Sequence, residues 1–220
     1  NITTSEKPNF NLRIFFSGSI VRDGYKNFNW HYENEKFPNR IKVLDEIIKE
    51  FKNEIFFINT KNDLKKIFQS KKKIFLCLYD KMIKKTSYTL SFEDNFNMLS
   101  NSCFNLNCPG VVMPLCHHMV EGMKVGSIPI TNCNKLVYPY LNDHNSLQYS
   151  NIDELIKKFH EPLVMSEDEI ISMRKNVLEY YNSNLSPKNF KIKFLKMLSE
   201  KKQKIVCCDD HRSVGPILMR

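Results

Sequence analysis

Short apolar runs recur along the first two thirds of the chain, and most of them end in small, polar or turn-forming residues. We predict six strands from these runs, at residues 12–18, 54–59, 74–79, 103–107, 127–131 and 147–150. Apolar runs of this length are typical of strands that are buried on both faces of a parallel sheet. The pattern therefore predicts a parallel sheet at the centre of the fold.

Amphipathic stretches separate and follow these runs. After Pro38, apolar residues recur at the spacing of one helix face, at Ile41, Leu44, Ile47, Ile48 and Phe51. Further helices are predicted at residues 62–68, 91–99, 114–125, 151–160, 166–182 and 186–200. Alternative N-caps are Thr60 or Asn62 for the first of these helices and Asn151 or Asp153 for the fourth. Strands that alternate with helices predict an α/β, Rossmann-like fold, with helices on both faces of a parallel sheet and a helical C-terminal part.

The same pattern divides the chain into three parts. Residues 1–11 form a lead-in, residues 12–200 form one domain, and residues 201–220 form a polar tail or linker. A chain of 220 residues with 42% hydrophobic side chains is large enough for one such domain. Because the sequence begins at Asn1, we expect a processed product or a part of a longer chain.

Charge adds information about the ligand. The net charge is +9, from 33 basic and 24 acidic residues. A lysine-rich composition, an anionic ligand, an acidic membrane surface and nucleic acid each account for such an excess. The lysines are spread along the chain, and no basic-aromatic motif of a known nucleic-acid module is present. We therefore expect no nucleic acid partner, while an anionic ligand and peripheral membrane contact stay open.

The cysteines and the apolar stretches indicate the compartment. Seven cysteines at irregular spacing argue against a disulfide framework and favour a reducing compartment. The apolar stretches are far shorter than the roughly 20 residues of a membrane span, and no secretory signal is visible. We therefore expect a cytoplasmic protein, with membrane association as an open alternative.

Residues 108–130 carry the candidate chemistry. Pro109-Gly110 forms a turn that permits close approach of a ligand to the backbone. A helix is predicted to begin near Pro114, and its free N–H groups and dipole suit a diphosphate. His117 and Glu121 are four residues apart and share a helix face, so that Glu121 is placed to accept both hydroxyls of a ribose. Gly126 is predicted to end the helix as a C′ glycine.

This segment resembles the donor-binding region of GT-B glycosyltransferases, in which a Pro/Gly turn leads into a helix reading roughly "EAM..G.IPI". The matching residues here are Glu121-Gly122-Met123, Gly126 and Ile128-Pro129-Ile130. The opening Phe15-Phe-Ser-Gly-Ser19 resembles the start of the C-terminal domain of the same family, where a strand precedes a phosphate loop. The resemblance covers about residues 12–198 and is closest to exostosin-like and bacterial surface-polysaccharide transferases.

The resemblance implies eight donor-binding residues, which are Ser17, Gly18, Arg22, Gly110, Pro114, His117, His118 and Glu121. Glu121 matches the glutamate that binds the ribose, and Arg22 would neutralise the charge of the leaving diphosphate. Either histidine would lie against phosphate. Many retaining members carry a second glutamate eight positions earlier, where this chain has Met113, so neither a retaining nor an inverting outcome is assigned.

Ordinary structural roles remain alternatives for the same residues. Glu121 also fits a solvated helix glutamate, Arg22 a surface residue, and Ser17-Gly18 a simple strand end. The cysteines and histidines between residues 103 and 118 fit no compact zinc motif. The Cys207-Cys-Asp-Asp-His211 cluster stands alone in the tail. We therefore expect no metal.

The function expected from the resemblance is transfer of a sugar from a nucleotide sugar to the hydroxyl of a glycan or glycolipid acceptor, in surface glycan synthesis. No cofactor is expected beyond the nucleotide sugar, which is the substrate. No catalytic base is assigned, because the family usually supplies it from a preceding domain. The alternative is a non-catalytic Rossmann-like module that binds a nucleotide or a protein partner.

Overall fold

The computed structural model describes residues 7–20, 31–32, 35–36, 38–80, 88–110, 115–137 and 139–199, and every structural statement below concerns these residues. Six of the described strands form one parallel sheet in the order β4-β5-β1-β6-β7-β8. They are β1 (Ile14–Ser19), β4 (Ile55–Phe57), β5 (Ile74–Tyr79), β6 (Phe104–Asn107), β7 (Ile128–Thr131) and β8 (Leu147–Gln148). The predicted parallel sheet is thereby confirmed.

Seven α-helices connect or follow these strands. They are α1 (Arg40–Glu50), α2 (Lys61–Lys66), α3 (Phe92–Asn101), α4 (His117–Lys124), α5 (Ile152–Val164), α6 (Glu167–Tyr180) and α7 (Pro187–Ser199). Five of them begin at a side chain that accepts a hydrogen bond from the first turn, which are Asn39, Thr60, Ser91, Asn151 and Ser166. These short polar residues satisfy backbone N–H groups that have no partner within the helix, and so they fix where each helix starts.

Alternate residues of the central strands supply two separate cores. Ile14 and Phe16 of β1 pack in the larger core, with residues of α1, α4, α5 and α6. Phe15, which points to the opposite face, packs in the smaller core with residues of α3. Because successive side chains of a strand point to opposite faces, a strand that is apolar throughout is buried on both sides. The predicted α/β fold with helices on both faces and a helical C-terminal part is therefore confirmed.

Two local predictions differ from the structure. No strand was predicted between residues 18 and 54, but β2 (His31–Tyr32) and β3 (Glu35–Lys36) pair there as a short antiparallel ribbon. Helix α5 continues past the predicted end at 160 to Val164, because Pro162 is accommodated in the last turn and packs in a buried position. Among the described helices, none is long and apolar enough to span a membrane.

A capping box begins α6, at the helix start that the sequence predicted near residue 166. The Ser166 hydroxyl accepts from the backbone N–H of Glu169, and the Glu169 carboxylate accepts from the backbone N–H of Ser166. We expect Ser166→Ala to lower the free energy of unfolding by about 1 kcal/mol, because the backbone N–H of Glu169 loses the hydroxyl that accepts from it. Urea denaturation measures this change. Ser172→Ala, at an exposed position of the same helix, is the control and should change stability by less than about 0.5 kcal/mol.

Candidate functional site

Strands β1 and β6 separate at their carboxyl ends. They pair only at Ile14 with Phe104 and at Phe15 with Asn105, although both strands continue beyond these pairs. The chain leaves β1 toward β4 on one side of the sheet and leaves β6 toward β7 on the other side. In open α/β sheets, such a reversal of direction opens a crevice in which ligands bind.

Arg40, the first residue of α1, joins the two separating strand ends. Its Nη1 atom donates to the carbonyl oxygen of Ser19 at 3.2 Å, and Nη2 lies 3.5 Å from the carbonyl oxygen of Cys108. The guanidinium also lies 5.8 Å from the centre of the Phe16 ring, within cation–π range. The side chain is 6% exposed. A fixed positive charge is therefore built into the end of the sheet where the strands part.

A cleft of about 300 Å³ opens beside this point. Its walls come from the ends of β1 and β5, from the segment that leads into α3, and from the first turns of α4. The lining residues are Ser17, Tyr79, Thr89, Leu90, Ser91, Phe92, Asn95, His117, His118 and Glu121. Phe92 stands at this cleft with 69% of its surface exposed, so an aromatic face is available to a ligand.

Three chemically active side chains of the cleft come from α4. The Nε2 atom of His118 lies 4.0 Å from Oε2 of Glu121. The rings of His117 and His118 make an edge contact with centroids 4.5 Å apart. The structure thus pairs Glu121 with the histidine three residues before it, whereas the sequence reading pointed to His117. Both spacings place side chains on one helix face.

Helix α4 begins later than expected. Its first helical residue is His117 rather than one near Pro114, so Glu121 lies just over one turn from the start instead of two turns. Cys116 is the N-cap, and its thiol makes no capping hydrogen bond of standard geometry. The first-turn N–H groups and the positive end of the helix dipole therefore lie beside the cleft without the polar cap that begins most other helices here.

His118 is the most strongly perturbed base in the cleft. Burial lowers its pKa to about 4, and the neighbouring charges of His117 and Arg40 act in the same direction, while a hydrogen bond to the backbone of Ser17 opposes them. The imidazole is therefore neutral at pH 7. A neutral imidazole that donates from one nitrogen keeps a lone pair on the other, which is suited to a proton or a cation.

The remaining polar groups of the cleft are less reactive. Burial raises the pKa of Tyr79, and the nearby charge of Arg40 acts against that rise. The Ser17 hydroxyl bonds to the thiol of Cys77, whose pKa burial raises to about 11. A thiol with this pKa is protonated at pH 7 and is a poor nucleophile. The described cleft thus offers a carboxylate and two imidazoles rather than a thiolate.

Of the eight residues predicted to bind a donor, four line this cleft: Ser17, His117, His118 and Glu121. Gly18 and Gly110 are described but do not line it. A Cβ atom at Gly18 would lie 2.7 Å from Cζ of Phe16 and 3.3 Å from Nη1 of Arg40, so this glycine makes room for those two side chains. The predicted residues Arg22 and Pro114, together with Met113 and the 201–220 tail, lie outside the described residues.

Arg40, Tyr79 and the 89–92 wall of the cleft were not predicted from the sequence. A signal for Arg40 was present, since Pro38-Asn39 marks a helix start and so places the next residue at the end of the sheet where ligands bind. Searches against protein-family models and against curated proteins find no significant match to this chain. The geometry of the cleft and the resemblance of residues 108–130 are therefore the features that indicate a function.

Proposed function

We propose that this chain is the donor-binding domain of a glycosyltransferase. In the reaction, the bond between the sugar C1 and the diphosphate oxygen breaks, and C1 bonds to an acceptor hydroxyl oxygen. The hydroxyl loses its proton, and the nucleoside diphosphate leaves. The proposed acceptor is a glycan or glycolipid, in surface glycan synthesis. The observation that carries the proposal is the convergence of Ser17, both α4 histidines and Glu121 on one cleft at the carboxyl ends of the strands.

Each part of a nucleoside diphosphate has a complementary group at this cleft. The carboxylate of Glu121 accepts hydrogen bonds from both hydroxyls of a ribose, as the family resemblance implies. The start of α4 offers N–H groups and a helix dipole to the diphosphate. The exposed ring of Phe92 supplies a face on which a planar base stacks. Together these groups are complementary to a ligand that is both anionic and aromatic.

Arg40 supports the same ligand through its charge. The guanidinium acts on the pKa of both Tyr79 and His118, which line the cleft, so its positive field extends into the ligand space. A buried charge is screened less by salt than a surface lysine is. The departing diphosphate carries the charge that develops in the reaction, and a fixed cation nearby stabilises it.

The size of the cleft fits part of such a donor. A volume of about 300 Å³ lies at the lower end of the range of small-molecule sites, which is roughly 300–1,000 Å³. A cleft of this size accommodates the nucleoside and the phosphates of the donor, but it leaves little room for an extended acceptor in addition. An acceptor would therefore approach from outside the described cleft, where a second domain commonly contributes in GT-B enzymes.

A panel of nucleotides tests the proposal. We expect UDP, GDP, CMP or one of their sugars, in the presence of EDTA, to raise the melting temperature of the chain. A ligand present at a hundred times its Kd adds about 2.7 kcal/mol to the stability of the folded state. Differential scanning fluorimetry measures the shift. Glu121→Ala should remove the shift without changing the melting temperature of the free chain by more than a few degrees.

Glu179→Ala is the control, because it removes an exposed glutamate from α6, a helix that contributes no side chain to the cleft. It should respond to nucleotide as the parent does. Absence of a response to every nucleotide would contradict the proposal. Binding that survives Glu121→Ala unchanged would contradict the ribose assignment. Nucleotide binding by a longer chain that transfers and hydrolyses no sugar would favour the non-catalytic module.

A further inference from the structure

Two histidines and a glutamate on α4 form a cluster of potential metal ligands. One ligand atom from each of His117, His118 and Glu121 lies within 4.8 Å of the others. Successive helix residues are rotated by about 100°, so Glu121 projects from an angle between those of the two histidines. The order His-His-x-x-Glu therefore brings three donor groups to one side of a short helix.

The spacing of these donors is close to that of a metal site. Ligands bound at about 2.0–2.2 Å around one ion are separated by roughly 3 to 3.5 Å. The Nε2 atom of His118 and Oε2 of Glu121 are 4.0 Å apart, so a small rotation of the side chains closes the site. His117 is exposed, while His118 and Glu121 are partly buried, so an ion has a path from solvent to the cluster.

We propose that His117, His118 and Glu121 bind a divalent transition-metal ion, with Zn²⁺ as the best-matched member of the class. Imidazole nitrogen suits zinc, whereas Mg²⁺ prefers a shell of oxygen ligands. Three protein ligands leave at least one coordination position open, as in zinc sites that also bind substrate. A metal site at this cluster replaces the expectation of no metal, which rested on the spacing of these histidines with the cysteines, because Glu121 supplies the third ligand.

The open position faces the ligand cleft, since all three residues line it. Resting on the proposed function, we assign this position to an oxygen of the donor diphosphate. The charge of Arg40 opposes a second cation nearby, and an anion between the two offsets that repulsion. The carboxylate of Glu121 has two oxygens, so that binding the ion through Oε2 leaves the other oxygen to accept from both ribose hydroxyls. Metal and nucleotide are therefore expected to strengthen each other's binding.

Titration calorimetry with Zn²⁺ alone tests the metal site. The full chain is treated with EDTA, dialysed and titrated in the absence of nucleotide. We expect one Zn²⁺ ion per chain to bind at the cluster. Its affinity should fall at least tenfold in each of three variants, which are His117→Ala, His118→Ala and Glu121→Gln. His144→Ala, which removes an exposed histidine from another part of the chain, is the control and should leave the affinity unchanged. Because the side chain of His117 is exposed, His117→Ala is the variant that is least expected to disturb folding.

The tail residues Cys207, Cys208 and His211 are a competing source of zinc ligands. Titration with Co²⁺ separates the two, because thiolate ligands give an intense near-ultraviolet charge-transfer band and a nitrogen–oxygen set does not. We expect no such band for the ion that is lost in His117→Ala. A parent chain that binds no Zn²⁺, or one whose affinity is unchanged in His117→Ala, overturns the proposal.

The nucleotide panel separates failure of this proposal from failure of the proposed function. Zinc binding at the cluster without a response to any nucleotide would sustain the metal site and contradict the donor-binding function. Nucleotide binding in EDTA, without zinc binding at the cluster, would do the reverse. Where both bind, a nucleoside diphosphate that leaves the zinc affinity of the chain unchanged would contradict the assignment of the open position to phosphate.

Discussion

Replacing Arg174 with methionine is expected to lower the free energy of unfolding by about 3 kcal/mol or more. Arg174 is 1% exposed and lies among backbone carbonyls from separate parts of the chain. Its Nη2 atom donates to Ser100 at 2.9 Å and to Val125 at 2.6 Å, and Nη1 approaches the carbonyl of Ser102 at 3.4 Å. A buried carbonyl that loses its donor costs about 1–3 kcal/mol.

The desolvation of Arg174 offsets only part of that loss. Burial lowers the pKa of Arg174 to about 10, so the guanidinium stays charged at pH 7 and donates fully to the carbonyls. Methionine removes the cost of burying the charge, yet it leaves several acceptors without these hydrogen bonds. The side chain also holds the turn after α3 against the turn after α4, and methionine provides no polar connection between them.

Urea denaturation of Arg174→Met, Arg174→Lys and Lys175→Met measures this effect. We expect Arg174→Lys to be intermediate, because one ammonium group cannot reach carbonyls as widely placed as the planar guanidinium can. Lys175→Met, at the adjacent exposed position, should change stability by less than about 0.5 kcal/mol. An Arg174→Met variant as stable as the parent would show that these hydrogen bonds contribute no net stability.

Two constraints require a glycine at position 126, and only the first of them could be predicted from the sequence. The sequence predicted that Gly126 ends a helix, and its φ of +83° confirms the left-handed conformation that glycine tolerates best. The structure adds a second constraint. A Cβ atom there would lie 2.9 Å from Cγ of Arg174, a residue that sequence periodicity alone does not connect to it.

The elements of the fold were predictable because their causes are local. Apolar runs identified the strands, and the predicted helix starts at residues 91, 151 and 166 coincide with the N-caps Ser91, Asn151 and Ser166. The two-residue pairing of β2 with β3 was not predicted, because a ribbon this short has too few positions to show an alternating pattern. The order of the strands in the sheet could not be predicted from the hydrophobic pattern either. For example, β5 lies between β4 and β1, although β4 precedes β5 in the chain.

The candidate site also combines residues that the sequence places together with residues that only the fold brings there. His117, His118 and Glu121 belong to one helix, so their spacing in the sequence was enough to place them together. Arg40 depends on contacts across the fold, because Ser19 lies 21 residues away in the chain and Cys108 lies 68 residues away. The family resemblance implied Arg22 for the leaving-group charge, and Arg40 was given no role.

Arg40 is expected to contribute more to anion affinity than any other arginine among the described residues. It is the arginine whose guanidinium bridges the ends of β1 and β6, beside the cleft. Arg13 offers a matched comparison, because it lies just before the opposite end of β1 and donates to the carbonyl of Met165 at 3.1 Å. Both residues carry one charge and bind backbone carbonyls, but only Arg40 lies at the carboxyl ends of the strands.

We expect Arg40→Gln to weaken binding of pyrophosphate and of UDP by about 10- to 100-fold, whereas Arg13→Gln changes either affinity less than threefold. At an effective dielectric constant of about 20, two unit charges roughly 6 to 10 Å apart interact by about 1.7–2.8 kcal/mol, which corresponds to this range. Both variants lose one positive charge, so a general effect of net charge would reduce binding equally in the two. Titration calorimetry at fixed ionic strength measures the affinities, and melting temperatures verify that each variant is folded. Equal losses in Arg40→Gln and Arg13→Gln would contradict a specific role for Arg40. Arg40→Lys should retain more affinity than Arg40→Gln, because the charge remains while the bridge between Ser19 and Cys108 is lost.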